Sequence, residues 1–421
     1  MDVSYDVVVV GGGPGGTAAA LASARNGAKT ALIERYGFLG GMATAGLVNP
    51  FMTASNGKER IIRGIFDELL RELSRRGGRL DERQVCATFD EEVLKVILDD
   101  KLTEAGVELW LHSLLTDVER VGGDVSRVTA ATRSGPVIFN ATVYVDGTGD
   151  GDLAARAGAI VEQGRPEDGL VQPMTLCFRM GGVDVERMPS RAEINGLYAV
   201  AREAGEVQNP RDNVLYFWNV HPGIVHFNTT RVVKRNPVDA RDLTAAELEG
   251  RRQAHQTAAF MRKHVSGFEH AYLLTCATQI GVRESRRIIG NYVLTEEDVL
   301  GGRKFDDGIA RGAYDVDVHS PDGAGTVIKH LKPGTSYEIP YRCLVPERVE
   351  NLLIAGRCIS ATHVAHSSLR VMPIVTAIGE AAGTAAALCV WDQVPPAKLD
   401  AQLLREQLVK QDADLRREVQ S

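Results

Sequence analysis

The sequence predicts an α/β fold: a parallel-sheet domain with a β-meander, interrupted by a smaller α+β domain. Three observations predict it. The chain opens on a valine-rich run, Tyr5 to Val10, that reads as a buried parallel strand. A glycine-rich turn, a small-residue helix, a second strand and an acidic residue follow it without interruption. Far down the chain the pattern returns as "NLLIAG" and a second small-residue helix, while residues 165–340 lose it. The expected domains are therefore a discontinuous one, 1–164 with 341–421, and an inserted one, 165–340.

Composition agrees with an enzyme of two domains. The 421 residues are long for one ordinary domain. A hydrophobic share of 44% and a charged share of 24% suit a soluble globular chain. The net charge of -7 leaves no general nucleic-acid footprint. Cysteines 86, 177, 276, 343, 358 and 389 form no CxxC pair and no disulfide framework, so buried reduced thiols are expected. The start, "MDVSYDVVVV", is acidic where a secretory signal would be basic. No uninterrupted apolar stretch reaches the roughly 18 residues of a membrane span. A cytoplasmic protein without a membrane span is the expectation.

The opening unit has a physical job for each part. Gly11, Gly13 and Gly16 form GxGxxG, with Pro14 and Gly15 inside it. Gly11 makes the tight turn, Gly13 lets the backbone approach a pyrophosphate, and Gly16 lets the helix pack on the strand. "TAAALASARNG" is the helix, stopped by Asn26-Gly27, and "KTALIE" is the next strand. Glu34, about 20 residues on, can bond ribose hydroxyls. The whole unit points to a dinucleotide, FAD or NAD. The next stretch, "RYGFLGGMATAGLVNPF", is glycine-rich and poor in charge. It resembles the flavoprotein pattern in which the chain runs along the pyrophosphate toward the flavin. Arg35, Gly40, Gly41 and Thr44 are candidates for that contact.

"FDEEVLKVILDDKLTEAG" carries Val93, Leu94, Ile97 and Leu102 at helical spacing. "VELWLH" reads as a third parallel strand, and the segments around "LLTDVERV", "VSRVTAATRS" and "PVIFNA" as an antiparallel meander. "TVYVDGTGDGDLAARAGA" closes the unit. Gly147, Thr148 and Gly149 permit close approach to the dinucleotide. Asp150 and Asp152 either cap the following helix or touch the cofactor.

Within 165–340, "PMTLCFRMGGV", "NVLYFWNV" and "GIVHFNTTRVV" read as antiparallel strands and "TAAELEGRRQAHQTAAFMRKHV" as a helix. Arg283, Arg286 and Arg287 can hold a carboxylate in fork geometry. They can equally pair with Glu284, Glu296, Glu297 or Asp298, or reach the FAD pyrophosphate. Asp315, Asp317 and His319 share one face if their run is a strand. With no second ligand cluster, a polar sheet face or a pocket wall is expected there and no metal site. His221 and His226 flank "PGIV" and are expected to be structural, with a pocket-lining place left open.

The chain resembles the FAD-dependent oxidoreductases, a bacterial family related to the fumarate reductase and succinate dehydrogenase flavoproteins. The motifs that carry this are "VVVVGGGPGG", "LGGMATAG", "VDGTGDGDLAARAGA", "IGVRESRRIIGNYVLTEEDV" and "NLLIAGRCISATHVAHSSLRVMPIVTAIGEAAGTAAAL". The resemblance implies a Rossmann-type FAD-binding domain with an α+β cap and noncovalent FAD. "RYGFLGGMATAG" has no His or Cys where the succinate dehydrogenase flavoproteins bond the flavin covalently. Arg357 follows Gly356 where many such proteins have an aspartate. In the resembling fold "NLLIAG" is the final parallel strand. Val371, Met372 and Ile374 then open a helix whose free amides face the flavin, with Pro373 harmless near its start. His363, His366 and Arg370, just before it, are candidates for proton transfer or substrate anchoring, together with Arg283.

The expected function is hydride transfer between FAD and a small organic substrate, with an anionic one left open. Two alternatives remain: an oxidase or monooxygenase using oxygen, and an electron-transfer subunit of a larger complex. No cysteine spacing suggests an iron–sulfur cluster. The expected partner is a small molecule, and a homo-oligomer is left open.

Overall fold

The computed structural model describes residues 1–83 and 86–415. Asp2–Val10 is the central strand, pairing in parallel with Thr30–Ile33 on one side and Gly135–Asp146 on the other. Val7, Val8 and Val9 are fully buried, which is why this strand is apolar on both faces. Glu108–Trp110 adds in parallel outside Thr30–Ile33. Gly135–Asp146 divides its free edge. Its first half carries the antiparallel meander of Leu114–Val121 and Asp124–Thr132, and its last three residues pair in parallel with Leu352–Ile354.

The two ends of the chain meet through two small-residue helices, Pro14–Arg25 and Met372–Asp392. A Cβ at Gly379 would lie 2.1 Å from the Gly15 carbonyl oxygen, and one at Gly383 would lie 2.0 Å from that of Ala19. Backbone therefore packs on backbone, and only glycine fits. Met372–Asp392 is apolar and long enough to cross a bilayer, yet its residues sit in the protein core.

A large apolar core surrounds the sheet and also takes in Leu294, Val299, Phe305, Ile309 and Ile339. A second core, spanning Phe178 to Ala271, belongs to a four-stranded antiparallel sheet. Its strands run in the order Tyr216–Trp218, Val225–Phe227, Phe178–Gly181, Tyr272–Cys276. The core thus parts near 178 and 271, inside the inserted segment, and residues 288–341 pack with the dinucleotide side. Phe178 and Phe227 stack at 4.8 Å within the second core, beside residues of the helices Arg191–Glu203 and Ala240–His264. Strand alternation turns Arg179, His226 and Phe217 the other way. Arg179 makes a two-pronged ion pair with Glu91, at the start of the helix Glu91–Glu104, and so leans the cap on the dinucleotide domain. A separate hairpin, Val316–His319 with Thr326–Lys329, carries Asp317 and His319 into a shared cavity.

Cys177, Cys343, Cys358 and Cys389 are buried free thiols and Cys276 is half-buried; the Cys86 side chain lies outside the described residues.

Candidate active site

A cavity of about 500 Å³ is lined by the turn after the first strand, the Gly147–Gly149 turn, the turn after Leu352–Ile354, the hairpin and the cap sheet. Its glycines fall into two kinds. Gly11 sits at φ +98°, and a Cβ there would lie 2.6 Å from the Gly147 carbonyl. Cβ atoms at Gly15 and Gly16 would lie 2.2 Å from Ala355 O and 1.8 Å from Gly11 O. These glycines hold the turn, strand and helix together. Gly13 and Gly356 are different. Both line the cavity, and a Cβ on either would meet no protein atom nearer than 3.9 Å. Their missing side chains leave room for a ligand, so this wall fits a dinucleotide lying against main chain.

Of the expected cofactor contacts, Gly11, Gly13, Pro14, Gly15, Glu34, Arg35, Gly41, Gly147, Thr148, Gly149, Gly356, Arg357, Val371 and Met372 line the cavity. Four do not. Gly16 is spent on packing against Gly11, and Ile374 lies in the core. Thr44 donates its hydroxyl to Leu39 O at 2.7 Å, and Gly40 is the left-handed residue beside it. That pair shapes the loop and leaves Gly41 at the wall.

Glu34 accepts from the Gly12 N–H at 2.6 Å and the Tyr36 N–H at 2.9 Å, while burial pushes its carboxyl up. Asp146 had no place in the sequence reading. It is fully buried, accepts from the Thr148 N–H and hydroxyl at 2.9 and 2.7 Å, and accepts from the Ala154 N–H at 2.8 Å. Burial pushes it up to about 6. The signal was an aspartate ending a strand before Gly-Thr-Gly. Asp150 does not cap a helix; it pairs with Arg357, whose Nε donates to Gly149 O at 3.1 Å. Arg357 thereby ties the two glycine turns together.

The rest of the lining carries three arginines from separate segments. Arg211, Arg283 and Arg370 all reach it. Arg283 donates to Pro173 O at 2.8 Å, to the Thr175 hydroxyl, and to Asn228 Oδ1 at 3.2 Å. Burial, then Arg370 and Arg211, push it down to about 9, so it stays charged at neutral pH. Arg211 is 7% exposed; its Nε donates to Asn213 Oδ1 at 2.7 Å, but its buried Nη1 has no partner. The buried Nε of Arg370 has none either. Those two atoms are closed to the cavity, but three guanidinium groups of like charge on one wall favour an anion there. Of the other two arginines in the motif, Arg286 pairs with Asp152 at 2.8 Å and Arg287 with Glu284 at 2.5 Å. Burial pushes the Cys177 thiol in the lining up to about 12, so it is no ready nucleophile.

The histidines expected at the reacting centre are turned away from it. His363 and His366 lie three apart on the short helix His363–Leu369 and do not line the cavity. His363 Nδ1 donates to the buried Glu284 at 2.8 Å, and His366 Nε2 donates to Arg357 O at 2.9 Å. Burial holds His366 well below its ordinary range, as a neutral ring. Both brace the loop that positions Arg357. Arg370, at the end of that helix, has the longer arm and does reach the cavity. In the cap, His221 is exposed and contacts Asp90 at 2.7 Å, while burial pushes His226 down to about 3. Sequence reasoning missed Arg211, Asn213, Asn228 and Tyr314, which sit in loops without pattern; it held Asp317 and His319 only as a polar sheet face or a pocket wall.

The model of the FAD dependent oxidoreductase family matches residues 6–408. A thiamine thiazole synthase of Methanococcus maripaludis is 27% identical over 156 residues, 35% of this chain and 56% of that protein. One from Sulfolobus acidocaldarius is 30% identical over 183 residues, 41% of this chain and 64% of that protein. These matches span less than two thirds of either relative. Among solved structures, a geranylgeranyl bacteriochlorophyll reductase-like protein from Thermoplasma acidophilum superposes with a TM-score of 0.53 at 14% identity, over 98% of this chain and 85% of that one. That likeness is one of fold.

Proposed function

The chain belongs to the FAD dependent oxidoreductase family, and on that premise we propose that it moves a hydride between noncovalently held FAD and a small organic anion. When bound, FAD supplies two-electron chemistry at its ring system. Gly13, Gly147, Gly149 and Gly356 would let it lie on the main chain, with Glu34 and Arg35 on the same wall. The helices Pro14–Arg25 and Met372–Asp392 begin at this wall, where free amides favour negative charge. The four-stranded antiparallel sheet and its helices, from about residue 178 to 276, act as the cap that closes the substrate in.

The observation that carries the anionic reading is the arginine group. Arg211, Arg283 and Arg370 line one cavity, and burial together with its two like-charged neighbours holds Arg283 down. Two-pronged guanidinium contact would orient a carboxylate and exclude water from it. The test is anaerobic mixing of the purified yellow protein with sets of anionic and neutral metabolites while flavin absorbance is followed. Bleaching is expected from members of the anionic set alone. Equal bleaching by neutral analogues would overturn the anionic reading. Oxygen consumption matching turnover would move the enzyme to the oxidase or monooxygenase class.

A further inference from the structure

Asp317 stands beside Arg370 in the cavity, and its hydrogen bonding is lopsided. Asp317 Oδ2 accepts from the Tyr314 hydroxyl at 3.1 Å, lies 3.4 Å from His319 Nε2, and lies 3.8 Å from Arg370 Nη2. Oδ1 accepts no hydrogen bond from the described residues and is not among the buried unpartnered atoms, so it is open to the cavity that Asp317 lines. An ionised carboxylate is an acceptor only.

The arrangement around Oδ2 is held from behind. Arg231, 2% exposed, donates through Nη2 to His319 Nδ1 at 3.0 Å and through Nη1 to the carbonyls of Gly323, Ala324 and Gly325 at the hairpin tip. Arginine can only donate, so His319 Nδ1 must accept. The ring is then the neutral tautomer with its proton on Nε2, toward Asp317. Burial and Arg283 push His319 down to about 3, which agrees with a neutral ring. Burial alone would push Asp317 up, but His319, Arg370 and Arg283 outweigh it and hold it well below the usual carboxylate range. Asp317 is thus a poor proton acceptor and a good fixed acceptor of a hydrogen bond.

The cavity therefore offers three guanidinium groups and, one contact away from Arg370, a carboxylate oxygen that wants a donor. We propose that the site takes a 2-amino or 2-hydroxy carboxylate, its carboxylate on Arg370, Arg283 and Arg211 and its amino or hydroxyl group on Asp317 Oδ1. This rests on the anionic reading above. Hydrogen-bonded atoms sit roughly 3 Å from their partners, so groups bound to Arg370 and Asp317 must be near neighbours on one skeleton. The carbon that bears both is then held between two anchors, and Asp317 orients it.

The test measures binding to the FAD-loaded protein by thermal shift and by perturbation of the flavin spectrum. The probes are matched sets on short, branched, acidic and aromatic skeletons: the 2-amino acid, the 2-hydroxy acid and the plain carboxylate. On at least one skeleton a substituted acid should bind at least ten-fold more tightly than the plain one. The two substituted arms identify whether the group is amino or hydroxyl. Asp317→Asn, checked for FAD content, should shrink that preference. Plain carboxylates binding as tightly as substituted ones on every skeleton would overturn this proposal and leave the anionic reading standing. Binding by no member would overturn both, and so would neutral amides of the same skeletons binding equally well. The comparison in the unaltered protein decides the matter even if Asp317→Asn does not fold.

Discussion

The two walls of the cavity are built from different materials. The wall under the dinucleotide is mostly main chain: Gly11, Gly13, Gly147, Gly149 and Gly356, with helix starts behind them. The wall under the cap is side chain and charge: Arg211, Arg283, Arg370, Asp317, His319 and Tyr314. Main-chain amides are carried by every residue, so what that wall needs is absence of bulk. Guanidinium groups are long and costly to bury, so what the other wall needs is convergence. The first wall is rigid because it is also packing. The second is open, with three guanidinium groups and the free Asp317 Oδ1 facing one cavity. A site that binds a cofactor permanently can be finished by the fold, whereas a site that awaits a substrate keeps polar groups in reserve.

Three substitutions would break or sharpen that contrast. The largest effect is expected from Gly16→Ala. Its Cβ would sit 1.8 Å from Gly11 O, which is backbone and cannot rotate away. Overpacking of this kind costs about 3 kcal/mol or more, and the protein should lose both cooperative unfolding and FAD absorbance. A folded yellow Gly16→Ala protein would show that the wall is not held by packing.

Next is Arg283→Met, on the other wall. A charge-assisted hydrogen bond contributes about 1.5–3 kcal/mol, so affinity for the anionic substrate should fall roughly 100-fold by titration of the flavin spectrum. The FAD-to-protein ratio should not change. Loss of FAD would mean that Arg283 belongs to the cofactor wall.

The smallest effect is expected from Gly13→Ala. No protein atom lies within 3.9 Å of the added carbon, and φ there is -74°, so the apoprotein should unfold within about 1 kcal/mol of the parent. FAD affinity should nevertheless fall roughly ten-fold, about 1.4 kcal/mol, because the methyl group enters the space left for the ligand. Unchanged FAD binding would take Gly13 off the cofactor wall.

Legibility followed the same division. The strand–turn–helix–strand–acid unit occupies contiguous residues, and each part acts on its neighbour, so Tyr5 to Glu34 could be read locally. The second small-residue helix was legible for a similar reason, since Gly379 and Gly383 have no use at such spacing except close packing. His363 and His366 misled because nearness along the chain to a cofactor-facing helix does not decide which way a side chain points. On a short helix the two share a face, and that face is filled by Glu284 and the Arg357 carbonyl. Arg211 was missed because nothing around it in "QNPRDN" marks a buried charge.

By itself, then, the sequence determined the parallel sheet, the glycine turns and the family of the cofactor, because backbone geometry and helix periodicity are local. Only the tertiary structure decided which charges face the cavity. Arg211, Arg283, Asp317 and Arg370 come from four separate segments, and packing brings them together around one cavity. Electrostatic interaction depends on distance and burial, and neither exists for residues far apart in sequence until the chain has folded.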